Sequence, residues 1–138
     1  MSYLLDTNVL SELARSRPDP RVVAWFQEAP DPALHVSVLT LGEIRRGVEV
    51  LRDESRRERL RTWLEVELVD WFGLRLLPVS AGVADRWGRL LAEVQRSVPA
   101  IDSLLAATAL HHQLRVVTRN VKHFRFPGLE VINPWGDF

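Results

Sequence analysis

Short apolar runs alternate along the chain with longer segments in which apolar residues recur every three or four positions. Such runs predict buried strands, and the longer segments predict amphipathic helices. The predicted strands cover residues 3–5, 34–38, 74–79, 114–118 and 129–132. The predicted helices begin near residues 7, 22, 37, 52, 81 and 101. Strands that alternate with helices in this way predict a parallel sheet with helices packed on both faces.

Polar and glycine residues mark the ends and the weak points of the helices. Thr7 or Asn8 is predicted to cap the first helix, and Gly73 to end the helix that precedes the third strand. Gly42 and Gly47 lie inside the third helix, where each costs on the order of 1 kcal/mol relative to alanine. That cost is tolerable if another backbone must approach closely at these two positions.

The helical spacing also assigns apolar residues to the interior. In the helix predicted from residue 81 to about residue 97, the residues predicted to face inward are Val83, Ala84, Trp87, Leu90, Leu91 and Val94. Trp63, Leu64 and Trp71 form an apolar face that fits either the core or a surface for a partner or a second copy. We expect at least one of the two tryptophans in the core.

The composition excludes several kinds of chemistry. A chain of 138 residues predicts a single domain over residues 1–138. Its 18 basic and 18 acidic residues give a formal net charge of zero, so no overall basic field indicates nucleic-acid binding. The absence of cysteine excludes disulfides, thiolate metal sites and a cysteine nucleophile. No apolar stretch reaches membrane-spanning length and no signal peptide is recognisable, so we expect a cytoplasmic protein without a membrane partner.

Three acidic residues, Asp6, Glu43 and Asp102, interrupt apolar or small-residue segments at the junctions of predicted elements. The carboxyl ends of parallel strands share one edge of a sheet, which is where open α/β sheets bind ligands. Carboxylates that converge there need raised pKa values or a bound cation, and oxygen-only ligands favour Mg²⁺ or Mn²⁺. Each acid also has an ordinary explanation as a helix cap, a first-turn acid or a surface residue. The spacing alone leaves both interpretations open.

Four segments carry more specific information when they are taken together and in order. They read LDTNVLSE at residues 5–12, SVLTLGEIRRG at 37–47, IDSLLAATA at 101–109 and VTRN at 117–120. Together they resemble the motifs of PIN-domain ribonucleases, specifically those of VapC-type toxins from bacterial toxin–antitoxin pairs. The closing Asn133-Pro134-Trp135 resembles the FitB-like branch of that family.

This resemblance implies a three-layer α/β/α PIN-like fold with a five-stranded parallel sheet, usually as a homodimer. It also implies hydrolysis of RNA that depends on Mg²⁺ or Mn²⁺, with Asp6, Glu43 and Asp102 as the acidic metal ligands. Thr7 and Thr118 would orient carboxylates or water around the ion. A metal-activated water would attack the scissile phosphate, and Glu43 would position or deprotonate that water.

Asn120 departs from the family pattern, in which a fourth acid often follows the penultimate strand. Its neutral amide removes a negative charge from the pocket, and His123 stands where a further Asp is common. We therefore expect one well-held ion, with Asn120 as an outer group of the site and any second ion bound weakly or only with substrate. Arg119 and Lys122 are candidates for contact with RNA phosphates, although solvated loop charges explain them equally well. Asp85 could approach from its own helix, without support from any motif.

A toxin that is active in the cell that makes it needs an inhibitor. The resemblance implies a small VapB-type antitoxin that places a peptide, often with an arginine, in the acidic pocket, within a homodimer or a hetero-oligomer. Two alternatives remain beside the ribonuclease. One is a nuclease of the same fold with another nucleic-acid substrate, and the other is a binding or regulatory module in which Asn120 marks the loss of catalysis.

Overall fold

The computed structural model describes residues 1–136, so the last two residues of the predicted domain lie outside the described residues. The strands within that range are β1 (Tyr3–Leu5), β2 (Leu34–Ser37), β3 (Leu76–Leu77), β4 (Arg115–Val117) and β5 (Val131–Ile132). The α-helices are α1 (Thr7–Leu13), α2 (Pro20–Glu28), α3 (Val38–Glu49), α4 (Glu54–Thr62), α5 (Val69–Phe72), α6 (Ala81–Glu93) and α7 (Ala100–His112). A π-helical segment (Trp63–Leu68) joins α4 to α5, and 3₁₀ turns cover Asp31–Ala33, Gly73–Arg75 and Val121–Phe124.

The five strands form one parallel sheet, as the sequence predicts, and their order in it is β3-β2-β1-β4-β5. The chain first moves outward from β1 to β3, then crosses over to add β4 and β5 on the other side of β1. The strand order therefore reverses between β1 and β4, the position at which such sheets bind ligands. Leu5 pairs with Val117 across these two strands, so Asp6 and Thr118 leave the sheet side by side.

Successive residues of β1 point to opposite faces of the sheet, and each face carries its own apolar core. Leu5 belongs to one core, whose other buried members include Val9, Leu10, Val22, Leu34, Val36, Ile44, Val48, Leu64, Leu68 and Phe72. Leu4 belongs to the other, with Leu90, Leu105, Ala106, Ala109, Leu114, Val116, Phe124 and Phe126. Helices α1 to α5 thus cover one face and α6 and α7 the other, which confirms the three-layer α/β/α architecture.

The third strand is shorter than predicted. Residues 74–79 were expected to be extended, whereas β3 contains only Leu76–Leu77. Gly73 has a φ of 50° and begins a 3₁₀ turn, which keeps Leu74 fully exposed. Pro78 lacks a backbone N–H and cannot continue the ladder beyond Leu77.

Strands β2 and β5 are also shorter than predicted, because neighbouring turns use their ends, and β4 covers only Arg115–Val117 of the predicted 114–118. Ser37 caps α3 through its hydroxyl, which accepts from Leu39 N at 3.1 Å, so β2 stops at Ser37. Before β5, the amide of Leu129 bonds to the carbonyl of Phe126 and Gly128 has a φ of 78°, which makes a tight turn. Strand β5 therefore begins only at Val131.

Several predictions about the helices need correction. Helix α6 ends at Glu93 rather than near residue 97, since Val94 is already extended, and Ala84 is exposed rather than inward-facing. A Cβ built on Gly42 or Gly47 would meet nothing within 4 Å, so no close backbone contact explains these glycines. Within residues 1–136, no helix is both long enough and apolar enough to cross a bilayer.

The apolar face of the π-helical region lies largely in the core. Leu64 is buried, and Trp63 and Trp71 are partly buried against the first core. Trp71 also contacts the rings of Phe26 and Phe72, at centroid distances of 6.0 and 4.5 Å. Both tryptophans therefore pack against the edge of the core, where we expected at least one of them inside it.

Candidate active site

Asp6 lies at the carboxyl end of the central strand and is 7% exposed. Its Oδ1 accepts a hydrogen bond from the amide of Thr7 at 2.8 Å, so Asp6 itself caps α1. The prediction that Thr7 or Asn8 provides this cap is therefore wrong. Its Oδ2 accepts from the hydroxyl of Thr118 at 2.7 Å, across the junction of β1 and β4. These bonds fix both oxygens of a nearly buried carboxylate.

Asn8 connects the two strand ends through its side-chain amide. The Nδ2 group donates to Asp6 Oδ2 at 3.2 Å and lies 3.3 Å from the Thr118 hydroxyl. The Oδ1 atom accepts from the backbone amide of Arg119 at 3.1 Å. The fully buried Thr118 hydroxyl also accepts from the amide of Asn120 at 3.0 Å. The segment after β4 is thereby tied to the carboxylate that ends β1.

Glu43 projects from the second turn of α3 toward the start of α1. Its Oε1 accepts a hydrogen bond from the hydroxyl of Thr7 at 2.7 Å. Desolvation raises the pKa of Glu43, and the charges of Asp6 and Asp102 raise it further, against the lowering effect of the Thr7 bond. The charges of both aspartates act on Glu43, so the three carboxyl groups lie near the same edge of the sheet, in a region called the acidic crevice below.

Asp102 lies in the first turn of α7, where the helix dipole favours a negative charge. It does not cap the helix, since Pro99 occupies the cap position. Its Oδ2 lies 3.2 Å from Nδ1 of His123. Desolvation raises the pKa of Asp102 and the charge of Asp6 adds to this effect, while His123 opposes both. The fold thus brings a carboxylate from residue 102 to the one that ends β1.

The side chains are not already arranged as a closed metal cage. Among residues 1–136, no group of three or more His, Asp or Glu side chains is close enough to hold a metal ion as it stands. In this arrangement Thr7 donates to Glu43, and His123 contacts Asp102. A cation at this crevice would therefore have to draw in at least one of these carboxylates from its present partner.

The remaining candidate residues lie at different positions around the crevice. Arg119, Asn120 and Lys122 are exposed on the segment that follows β4. The guanidinium of Arg119 stacks over the ring of Trp135, with its carbon 5.1 Å from the ring centroid. Asp85 is exposed on α6 and pairs with Arg89 at 3.1 Å. It therefore forms a surface ion pair, and nothing in its contacts connects it to the crevice.

Two side chains of this site were not recognised from the sequence as parts of it. Asn8 was treated only as a possible helix cap, although its amide joins Asp6 to the segment after β4. His123 was seen as a departure from a family pattern, whereas it contacts Asp102. For Asn8, its position two residues after Asp6 is the only feature of the sequence that indicates a role at the site. For His123, the sequence contains no feature that indicates its contact with Asp102.

The comparisons with known proteins agree with this fold. The sequence matches the family described as PIN domain over residues 3–129. It is 35% identical over 135 residues to a protein of Sinorhizobium fredii named VapC ribonuclease Y4jK, covering 96% of each chain. It is also 35% identical over 137 residues to a Neisseria gonorrhoeae protein named Toxin FitB, covering 97% of this chain and 99% of the relative.

Solved structures give the same result. A chain in the crystal structure of FitAcB from Neisseria gonorrhoeae superposes with a TM-score of 0.91 at 34% identity, covering 98% of this chain and 99% of that one. VapBC-5 from Mycobacterium tuberculosis, described as a member of the VapBC family of toxin-antitoxin systems, superposes with a TM-score of 0.67 at 28% identity, covering 96% and 98%.

Proposed function

This chain belongs to the PIN-domain family and, within it, to the VapC and FitB toxins, and from that premise we propose that it hydrolyses RNA phosphodiester bonds as the toxin of a toxin–antitoxin pair. The relative from Sinorhizobium fredii is named a ribonuclease and the one from Neisseria gonorrhoeae a toxin. We expect the protein to act in the cytoplasm, where its RNA substrate and its antitoxin are made.

One observation carries this proposal: the convergence of Asp6, Glu43 and Asp102. The charge of Asp6 contributes to the raised pKa of both Glu43 and Asp102, although 37 and 96 positions separate these residues from it in the sequence. Mutual repulsion among carboxylates is unfavourable for the free protein. The carboxylates nevertheless lie close together where the strand order of the sheet reverses. This position supports a role in binding a cation and a substrate phosphate there.

The residues present fit a hard divalent cation in their donor chemistry. The crevice supplies carboxylate oxygens, with no thiolate in the whole sequence, and such donors suit Mg²⁺ and Mn²⁺. We propose that Asp6 and Asp102 hold one ion, with Glu43 bound directly or through water. When bound, that ion would polarise the scissile phosphate and lower the pKa of a water molecule.

The protein's own groups would then position the reactants. Thr118 and Asn8 hold the carboxylate of Asp6 in one orientation, which removes the need to reorganise it during the reaction. The hydroxyl of Thr7 occupies Oε1 of Glu43, so Oε2 is the oxygen that would take a proton from the attacking water. The raised pKa of Glu43 makes it a better base than an ordinary glutamate once it is ionised.

We further propose that the protein binds a small antitoxin of the VapB type and assembles as a homodimer. A toxin that cleaves cellular RNA must be neutralised in the cell that makes it. The similarity to a protein from a VapBC toxin–antitoxin system supports this partner. A basic side chain of the antitoxin would neutralise the crevice as a cation does.

RNA cleavage in the presence of Mg²⁺ tests the proposed function. Asp6→Asn and Asp102→Asn should each abolish cleavage while thermal unfolding shows that the fold persists. Asp85→Asn is the matched control, since it removes an exposed carboxylate that is paired with Arg89, and it should cleave like the wild type. Undiminished cleavage by both site variants would contradict the proposal.

A further inference from the structure

A basic cavity lies beside the candidate active site, on the side formed by the segment after β4. Its volume is about 380 Å³. The polar and charged residues that line it are Arg119, Asn120, Lys122, His123, Arg125 and Asn133. We propose that this cavity binds the RNA backbone phosphate next to the scissile one, with Arg125 as a substrate-positioning residue. This inference rests on the proposed ribonuclease function.

The backbone that carries Arg125 is firmly anchored, whereas its side chain is exposed. Phe124 and Phe126, on either side of it, are 1% and 6% exposed in the second core. The carbonyl of Arg125 also accepts a hydrogen bond from Arg96 at 2.5 Å. Among residues 1–136, no carboxylate pairs with the guanidinium of Arg125. An arginine that is mounted on anchored backbone and has no ion pair within the described part of the chain is suited to contact a phosphate.

Two further cations, Arg119 and Lys122, line the same cavity. Arg119 stacks over Trp135, which is 2% exposed, and this contact limits the conformations of its long side chain. Lys122 lies on the 3₁₀ turn Val121–Phe124, whose last residue is buried in the core. The cavity therefore concentrates positive charge on a chain whose formal net charge is zero.

The cavity is directly connected to the carboxylates. His123 lines its wall and lies 3.2 Å from Asp102 Oδ2. On the other side, the backbone amide of Arg119 bonds to Asn8, which in turn donates to Asp6. A phosphate at the carboxylates would thus have the basic cavity as its immediate neighbour.

The lining residues favour a nucleic-acid backbone over an apolar ligand. The three cations can neutralise phosphate, and the side-chain amides of Asn120 and Asn133 can donate to and accept from sugar hydroxyls or base edges. The acidic crevice and the basic cavity are adjacent but differ in charge. The two phosphates at either end of a bound dinucleotide would therefore meet different side chains. The bond to be cleaved would lie at the carboxylates, and the next phosphate would fix the register of the strand.

The experiment is binding of a short single-stranded RNA, measured by fluorescence anisotropy in EDTA so that no cleavage occurs. Arg125→Ala should weaken binding about fivefold and reduce the slope of log affinity against log salt by about 0.7, as expected for one lost phosphate contact. Arg52→Ala is the charge-matched control: it is exposed after the far end of α3, does not line the cavity, and should change the affinity less than about twofold.

The outcomes separate the cavity from the proposed function. RNA cleavage by the wild type, with equal RNA binding by Arg125→Ala and Arg52→Ala, would overturn only the cavity assignment. Absence of RNA binding by the wild type in EDTA, together with absence of RNA cleavage in Mg²⁺, would overturn both. Inorganic phosphate that competes fully with the RNA at equal concentration would also contradict the assignment, since it would show a site for the free anion rather than for a nucleic-acid backbone.

Discussion

His123 Nδ1 lies 3.2 Å from Oδ2 of Asp102, so an imidazole occupies an oxygen that a metal ion at the crevice would need. The contact opposes the desolvation and the repulsion from Asp6 that raise the pKa of Asp102. His123 therefore stabilises the free form of a site whose carboxylates repel one another. Binding of a cation and the contact with His123 are expected to be alternatives at this oxygen.

Replacement of His123 tests this relationship. In His123→Ala the pKa of Asp102 should rise further, because the interaction that lowers it has been removed while desolvation remains. Carbon-13 NMR titration of the Asp102 carboxyl in metal-free protein measures this directly. His123→Gln can still donate a hydrogen bond and should restore part of the difference. A lower pKa of Asp102 in His123→Ala would contradict the assigned contact.

The buried hydroxyl of Thr118 is expected to matter for both stability and activity. Thr118→Val retains the shape but leaves Asp6 Oδ2 and the amide of Asn120 without this partner, which should cost about 1–3 kcal/mol of unfolding free energy. Loss of the oriented Asp6 carboxylate should also lower RNA cleavage by about 10–100-fold. Denaturant unfolding and a cleavage assay measure the two effects.

Thr108→Val is the matched control for that substitution. Thr108 is equally buried, but its hydroxyl bonds to the carbonyl of Leu104 within α7. Its loss should affect stability less and leave cleavage unchanged. If the Thr108 and Thr118 variants lost cleavage to the same extent, the role assigned to Thr118 would be wrong.

The raised pKa of Glu43 predicts how stability depends on pH. A carboxyl group whose folded pKa lies above the unfolded value of about 4.3 contributes stability that is fully present below that value. This contribution is lost as pH rises through the higher folded pKa, because the native state then holds an unfavourable charge. Glu43→Gln should therefore be more stable than the wild type at neutral pH, and the gain should disappear below about pH 4.

Urea unfolding in EDTA at a series of pH values checks this expectation. Mg²⁺ should reverse the order, since it stabilises the wild-type carboxylate and not the amide. Glu67→Gln removes an exposed charge from the π-helical segment and serves as the control. An equal gain from Glu67→Gln at neutral pH would show that loss of any negative charge suffices.

Gly42 and Gly47 should be replaceable by alanine with a gain in stability. Both lie within α3, and a Cβ at either position would meet nothing within 4 Å. Each substitution should stabilise the protein by about 0.5–1 kcal/mol in denaturant unfolding. Gly82→Ala provides the contrast, since its Cβ would lie 2.5 Å from Cε1 of His111 and force that ring to move. A loss of stability in both α3 variants would contradict the prediction that an alanine side chain fits at these two positions without a clash.

The position of Asp6 and Glu43 at one edge of the sheet could be predicted because it follows from topology. Strands that run in parallel end at one edge of the sheet, and the helices that follow them begin there, so Asp6 and Glu43 were expected at the same edge. Asp102 was assigned there through its position at the start of a helix and the resemblance of its motif. The five strands were also recognisable, since each contains a short apolar run.

The parts that could not be predicted depend on contacts between distant segments. No local pattern indicates that His123 reaches Asp102, or that Asn8 bonds to the backbone after β4. The short β3 results from the positive φ of Gly73 and the turn that follows it, whereas the apolar run from Leu74 suggested a longer strand. The exposure of Gly42 and Gly47 could not be predicted from the sequence. The spacing of apolar residues identifies a helix, but it does not show which other segments of the chain pack against each position of that helix.

The most direct test of the central claim is a titration of the metal-free protein with Mn²⁺, followed by electron paramagnetic resonance of the free ion. The wild type should bind one ion, and Asp6→Asn and Asp102→Asn should each weaken this binding at least about tenfold. Asp85→Asn should bind as the wild type does. Equal Mn²⁺ affinity in all four proteins would contradict the claim that carboxylates brought together from β1, α3 and α7 form one metal site.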